Sequence, residues 1–406
     1  MKIIHWDGDG TYPIDMESQI GESSYFKQGW ASNVAEATLK YTDKYEIEKW
    51  RSDPNTEIIR EKRINGVTYK LFPSLTFFPN RDFPVTISPQ LLKQLFHESR
   101  KGKVLLHQHI TDSYQMYLSS WILRNSPYVA HDHGGYSPLH RYLETKKLVY
   151  FFMDIFQRKS LEYIDYYLAA CIGKLKLYES QIEQSVRPTM KVFRGGVDFK
   201  TIKPILKTKA RSKLGISNEK LVLLYVGRYF DLKGVDYLLE IYNSLKKNRE
   251  VELILAGGSS ADPLYNRAKT SGAIVTNHRL DRDTELPYYY SAADVYVLPK
   301  FDSKASYSYG VDTAIVESLA CGTPVVSTML QHFENPNDVK HIGIIPKDIE
   351  HAIRCINYID KNPQKFEHCR QIAKKYYDWK VIINFLLNTY DELFQKYYPE
   401  IKENVK

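Results

Sequence analysis

From Leu221 onward, short apolar runs alternate with longer amphipathic stretches. They are Leu221–Val226, a helical pattern over Tyr237–Leu245, Val251–Ala256, Asp294–Leu298, Thr313–Ala320 and Pro324–Val326. A strand buried on both faces reads as a continuous apolar run, so this alternation predicts a parallel sheet with helices on both sides. The first half repeats the pattern more weakly. Strands are expected at Lys2–His5, Val104–His107, Tyr128–His131 and Lys191–Phe193, and helices at Ala31–Tyr41, Tyr117–Leu123 and Leu161–Leu168. At the far end, Ile383, Leu386, Leu387, Tyr390, Leu393 and Phe394 recur at helical spacing and predict an amphipathic helix over Val381–Tyr397.

Between the halves, Lys200–Arg211 is basic, contains Pro204 and has no apolar period, which makes it the candidate linker. The expected organisation is an α/β domain over residues 1–203, a second over 204–380, and a helix over 381–406 that crosses back onto the first. Open parallel sheets bind ligands at the carboxyl ends of their strands, so two such domains predict a shared central cleft.

Composition narrows this little. The chain has 406 residues, 43% hydrophobic and 26% charged, which is globular and too long for one ordinary core. No apolar stretch approaches the roughly 20 residues of a membrane-crossing helix. The opening Met1-Lys2-Ile3-Ile4-His5-Trp6-Asp7 lacks the plan of a signal peptide, so a cytoplasmic protein is expected. Four scattered cysteines make neither a disulfide framework nor a CxxC pair. A net charge of +8 is compatible with anionic small molecules, a membrane surface or nucleic acid. No nucleic-acid-binding pattern accompanies it, so nucleic acid is not an expected partner.

Two segments carry chemistry. In Val226-Gly227-Arg228-Tyr229-Phe230-Asp231-Leu232-Lys233-Gly234, an apolar strand ends at Gly227 and a helix follows, so Arg228 and Lys233 emerge at the strand's end. Two cations on one loop suit a diphosphate, whose charge grows as the bond to its sugar breaks. A preorganised donor aimed at such charge is worth on the order of 10²–10³ in rate. Solvated loop cations are the plainer use of the same residues. In the second segment, Tyr309-Gly310-Val311-Asp312-Thr313-Ala314 opens a helix that carries Glu317 and ends in Cys321-Gly322-Thr323-Pro324. Amides at such a helix start bind anions. A lone helical glutamate is more often a surface residue.

These segments resemble the retaining family 4 glycosyltransferases, which have the GT-B fold of two Rossmann-like domains. The family shows a strand, then Gly-Arg and Lys-Gly, and later Glu-Ala-Met-Ala-Cys-Gly-Thr-Pro-Val-Val. Here Gly227-Arg228, Lys233-Gly234 and Glu317-Ser318-Leu319-Ala320-Cys321-Gly322-Thr323-Pro324-Val325-Val326 stand in that order. Between them, Leu253–Gly258 and Leu286–Pro299 match the family's glycine-paired strand and its Leu-Pro-x-x-Tyr…Ala-Asp-Val run. In the first half, Leu105-Leu106-His107-Gln108-His109 and Pro127–Gly134 resemble the family's histidine strands. Counting from the proline makes His133 the active-site histidine ahead of His131. Gly29 falls where the family has a glycine loop near the donor phosphates.

The resemblance implies transfer of a hexose-type sugar, with retention, from a nucleotide-sugar (UDP- or GDP-linked) to a glycan, lipid-linked or other hydroxyl acceptor. Catalytic residues would be His133, Arg228, Lys233 and Glu317. Gly29, Gly227, Gly257, Arg279, Leu280, Tyr309, Gly310, Val311, Thr313 and Ala314 would bind the donor. No cofactor or essential metal is expected. One departure is plain: the family's first glutamate, eight positions before the second, is replaced by Tyr309, or by Tyr307 if the aromatic-glycine pair is the anchor. A catalytically impaired nucleotide-sugar binder therefore stays open, as does an epimerase or phosphorylase on the same fold.

Other signals read blandly. Asp7-Gly8-Asp9 sits at a strand end and Asp281-Arg282-Asp283 precedes a helix as a cap, so neither is read as a metal motif. Along the sequence, His, Cys and carboxylates nowhere stand at metal-ligand spacing. His140–Lys159 interleaves aromatic and basic residues. Its commoner use is a helix packing its greasy face on the first sheet. The other is contact with a membrane surface or a lipid-linked acceptor.

Overall fold

The computed structural model describes residues 1–8, 17, 21–77, 85–109, 114–134, 137–186, 188–230, 233–278, 280–301 and 310–400. It divides into two units, Met1–Phe193 with Ile383–Lys406, and Arg194–Ile382.

The first unit is built on strands β1 (Lys2–Asp7), β2 (Glu46–Asp53), β3 (Arg60–Ile64), β4 (Val67–Pro73), β5 (Leu75–Phe77), β6 (Val85–Ile87), β7 (Val104–His109), β8 (Tyr128–His131), β9 (Tyr166–Ala169) and β10 (Thr189–Val192). Eight of them form one sheet in the order β10-β9-β8-β7-β1-β2-β4-β3, and β5 pairs with β6 apart from it. Every pairing in the large sheet is parallel except β3 with β4. Asn65-Gly66 makes that antiparallel turn with both φ angles positive, at 51° and 87°. An Asn-Gly pair adopts this conformation readily, and it matches the twist of the two strands. The exposed edge β3 reads Arg-Glu-Lys-Arg-Ile, whose charges discourage pairing with another chain. The strand order reverses at β1, flanked by β2 and β7, so the carboxyl ends of β1 and β7 are the expected binding position of this sheet.

The sequence pattern predicts a helix at Leu161–Leu168, but the helix is Leu148–Leu161 and Tyr166–Ala169 is β9. Flanked by β8 and β10, all four β9 residues are buried, and such a short run has no polar face to distinguish strand from helix. His140–Lys159 is likewise not one helix. Pro138–Thr145 ends at Lys146, which takes a left-handed φ of 56°, and Leu148–Leu161 starts anew. The helix Trp379–Tyr397 lies across the division of the chain. Ile383, Leu386, Tyr390, Leu393 and Phe394 are buried, and Phe394 stacks on Tyr45 of the first unit at 5.3 Å.

The second unit holds β11 (Leu221–Val226), β12 (Val251–Ala256), β13 (Ile274–Val275), β14 (Val295–Leu298), β15 (Val325–Ser327) and β16 (Gly343–Ile344) in the order β13-β12-β11-β14-β15-β16, all parallel. Its order reverses between β11 and β14. The second part of the stretch read as a linker is helical, within Lys207–Leu214, and buried Arg211 reaches the Asp294 carboxylate at 2.6 Å and the carbonyl of Ala292 at 2.9 Å. Val197 exchanges backbone hydrogen bonds with Tyr377 and Trp379, which places the preceding loop with the second unit.

Candidate functional site

At the reversal point of the second sheet, two strand ends bring two lysines and one carboxylate together, with Arg228 on the turn after β11. After β11, the Tyr225 hydroxyl donates to the Arg228 carbonyl at 2.7 Å and shapes the turn at Gly227. The Arg228 side chain lies over Phe230, stands 3.7 Å from Asp262, and is 70% exposed. Gly234 is left-handed (φ 73°), and a Cβ there would lie 2.4 Å from the Pro299 carbonyl. That approach, available only to glycine, seats Lys233 against the end of β14. Its ammonium donates to Asp312 at 3.2 Å.

Lys300, immediately past β14, is the residue that sequence reasoning missed. It is 6% exposed, and burial, then the neighbouring Lys233, push its pKa down to about 8. Asp312 caps the helix Thr313–Ala320 by accepting from the Ala314 amide. Burial alone would raise its pKa, but Lys233 and Lys300 hold it below the usual carboxylate value. The result is a cationic corner over a helix start, suited to an anion with several oxygens. Gly310, Val311 and Thr313 are half-buried beside it, and Gly257 follows β12, donating to Thr276 at 2.9 Å. Tyr307, Tyr309 and Arg279 lie outside the described residues.

Glu317 is buried rather than the surface glutamate its sequence setting suggests. It accepts from Arg282 at 2.5 Å and from the Tyr290 hydroxyl at 2.8 Å. Thr323 donates to the Tyr290 carbonyl at 2.6 Å, and Ser318 donates to the Thr323 carbonyl at 3.0 Å. The Leu-Pro-x-x-Tyr and Glu-Ser-Leu-Ala-Cys-Gly-Thr-Pro segments thus form one hydrogen-bonded body that fixes the carboxylate. Arg282 therefore does more than occupy a capping turn. Asp281 supplies the turn, accepting from Thr284 at 2.6 Å and from the amides of Asp283 and Thr284 at 3.1 and 2.8 Å. Leu280, before it, is buried.

In the first unit, β1, β7 and β8 bring five histidines together. The register pairs His5 with His107 and His109 with His131, so these four side chains share one sheet face, and His133 follows β8. His133 is half-buried, hydrogen-bonded to His109 at 2.7 Å and stacked on Trp30, the first residue of the helix that Gly29 begins. Burial lowers its pKa to about 4, against the opposing Asp132. His131 is buried, with Phe193 edge-on at 4.7 Å. The sequence shows no metal-ligand spacing. The sheet nevertheless brings ring nitrogens of His5, His107 and His109 within 4.8 Å of one another, and those of His109, His131 and His133 likewise. Asp7 is not part of an exposed acidic motif. It is buried against Lys49 at 2.7 Å, and Asp9 lies outside the described residues.

The helix reading that packs His140–Lys159 onto the sheet also fails in part. Leu143, Leu148, Phe151, Phe152 and Phe156 are exposed, Phe156 by 55%. With exposed Trp121 on the neighbouring helix Tyr114–Ile122, they form an apolar surface beside Lys146, Lys147 and Lys159. Among the described residues no helix is long and apolar enough to cross a membrane.

Residues 207–376 match the family of group 1 glycosyl transferases. The chain is 33% identical over 141 residues to a D-inositol 3-phosphate glycosyltransferase of Arthrobacter, which covers 33% of this chain and 32% of that relative. A D-inositol 3-phosphate glycosyltransferase of Mycolicibacterium vanbaalenii is 33% identical over 153 residues, or 34% of this chain and 32% of the relative. The matches thus span about a third of these curated relatives. Among solved structures, sucrose-phosphate synthase from Thermosynechococcus elongatus superposes with TM-score 0.69 at 18% identity, covering 98% of this chain and all (100%) of that one. HepE of Anabaena in complex with UDP gives 0.66 at 16% identity, covering 97% and 100%. A trehalose-6-phosphate structure from E. coli bound with UDP-2-fluoro glucose gives 0.67 at 12% identity, covering 97% and 99%. The chain has the GT-B fold, and the cationic corner and fixed glutamate lie in the segment that matches the group 1 glycosyl transferases.

Proposed function

We propose that this protein is a retaining glycosyltransferase that moves a hexose-type sugar from a UDP- or GDP-linked donor to a hydroxyl acceptor on a glycan or lipid-linked carrier. The observation that carries the reading is the corner of Lys233 and Lys300 over the helix start that Asp312 caps, with Arg228 exposed on the adjacent turn and able to reach an anion there. A departing nucleoside diphosphate gains negative charge there, and fixed cations in a partly desolvated site stabilise it without reorganisation. Side-chain cations supply this charge, so the donor half of the reaction needs no divalent ion. Glu317, held from two sides, is oriented to accept hydrogen bonds from the donor's ribose. His133 contacts the transferred sugar, and the inner oxygens of the leaving diphosphate help take the acceptor proton.

The exposed apolar surface favours a lipid-linked acceptor. A cavity of about 390 Å³, lined by Ile87, Tyr117, Leu118, Trp121, Phe156 and Tyr163, opens within it. Lysines beside a greasy face suit an anionic bilayer.

The test incubates UDP-, GDP- and ADP-hexoses and UDP-N-acetylhexosamines with the full chain in EDTA and follows release of free nucleoside diphosphate. Release from one donor, abolished in Lys233→Ala, with product of unchanged anomeric configuration by NMR, is the expected result. Nucleotide binding without turnover in the presence of lipid and glycan acceptors would replace the reading with that of an impaired binder. An inverted product would overturn retention.

A further inference from the structure

The ring nitrogens of the five-histidine cluster are unevenly paired. His133 bonds to Nδ1 of His109, and Nε2 of His109 stands 3.1 Å from Nδ1 of His5. His107 pairs through Nδ1 with the Tyr390 hydroxyl at 2.5 Å. Among the described residues, Nε2 of His5 and Nε2 of His107 have no hydrogen-bond partner, although both residues are wholly buried. A buried polar atom left unpaired costs free energy, so two on neighbouring strands in register call for a ligand.

We propose that His5, His107 and His109 bind one late first-row transition-metal ion of the zinc class. One ring nitrogen from each already lies within 4.8 Å of the other two. Around a tetrahedral ion at about 2.0–2.1 Å, ligand nitrogens stand roughly 3.3–3.4 Å apart, so the required shifts are small. All three residues sit on adjacent central strands, which hold them rigidly. His107 has the hydroxyl partner on its outer nitrogen that ligating histidines typically have. An all-nitrogen set selects zinc, copper, nickel or cobalt over calcium and magnesium. The Asp7–Lys49 pair on the same face is net neutral, so it adds no net charge that opposes the ion.

The site has a consequence for the neighbouring histidine. His109 bound through Nε2 carries its proton on Nδ1 and donates it to Nε2 of His133. The proton of neutral His133 is then on Nδ1, so the ion sets its tautomer without touching it.

The test is independent of transfer activity. The full chain, expressed without a metal-affinity tag, is assayed for metal by elemental mass spectrometry, and a second preparation is grown in zinc-poor, cobalt-supplemented medium. The expected result is a single zinc-class ion per chain and the visible absorption of nitrogen-bound Co(II). His107→Phe, folded by circular dichroism, should lose the ion, while His131→Phe should keep it. No metal in either preparation would overturn the proposal, as would full retention in folded His107→Phe. Loss in His131→Phe alone would also overturn it, by placing the ion on the other trio. Should His107→Phe fail to fold, X-ray absorption of the wild type decides: three imidazole nitrogens at about 2.0–2.1 Å are expected, and fewer than two refute the site.

Discussion

Lys300 carries the sharpest prediction, because its effects on stability and on binding have opposite signs. Its pKa falls from 10.5 to about 8, chiefly through burial and then through Lys233. At 1.36 kcal/mol per unit this is roughly 3 kcal/mol of resistance to holding the charge in the folded state. A group with a depressed lysine pKa binds fewer protons folded than unfolded. The destabilisation is therefore complete below pH 8 and is relieved as pH rises from 8 to 10.5. Lys300→Met removes the buried charge, while Asp312 keeps Lys233 at 3.2 Å. The shift already includes the attraction to Asp312, so after discounting for relaxation of the buried site we expect this variant to be more stable than wild type at pH 7 by roughly 1–2 kcal/mol. A charged hydrogen bond to a diphosphate is worth about 1.5–3 kcal/mol, so nucleoside diphosphate binding should weaken roughly 10- to 100-fold. Urea melts at pH 7 and 10 and titration calorimetry with UDP and GDP measure both. The stability gain should shrink at the higher pH. A Lys300→Met protein that is less stable at pH 7, or that binds nucleotide as wild type does, would refute the reasoning.

Other consequences follow from the same geometry. Gly234→Ala puts a Cβ 2.4 Å from the Pro299 carbonyl at a positive φ, so we expect a loss of more than about 1 kcal/mol in urea melts together with weaker nucleotide binding. Among the described residues, Arg282→Ala leaves the buried Glu317 with Tyr290 as its remaining side-chain hydrogen-bond partner, and a donor KM raised about tenfold, with a smaller change in kcat, is expected from steady-state kinetics. Replacing Phe152 and Phe156 together by glutamate should abolish sedimentation with anionic vesicles and leave turnover of a soluble acceptor intact. Retained sedimentation would remove the membrane from the proposal.

The second unit was readable because its strands are buried on both faces and its chemistry lies within continuous segments. Gly227 to Lys233 sits on one strand–helix connection and Glu317 to Pro324 on one helix and its turn into β15, where spacing along the chain is spacing in the fold. Lys300 escaped because its role depends on β14 lying beside β11, a neighbour set by sheet order and not by sequence distance. The signal was present in a lysine directly after an apolar strand and a proline. The histidine cluster was hidden for the same reason. His5 lies 104 residues from His109, and only the β8-β7-β1 order brings their strands together. β9 was misread because four buried residues carry no periodicity. The greasy faces of the helices 138–145 and 148–161 look the same in sequence whether they meet a core or solvent.

The most direct test of the donor site is amide hydrogen exchange of the full chain with and without saturating UDP or GDP. Slowed exchange concentrated at residues 226–236 and 310–317, lost in Lys233→Ala, is the predicted result. Slowed exchange confined to other segments, with these two unchanged, would contradict the placement of the donor at this corner.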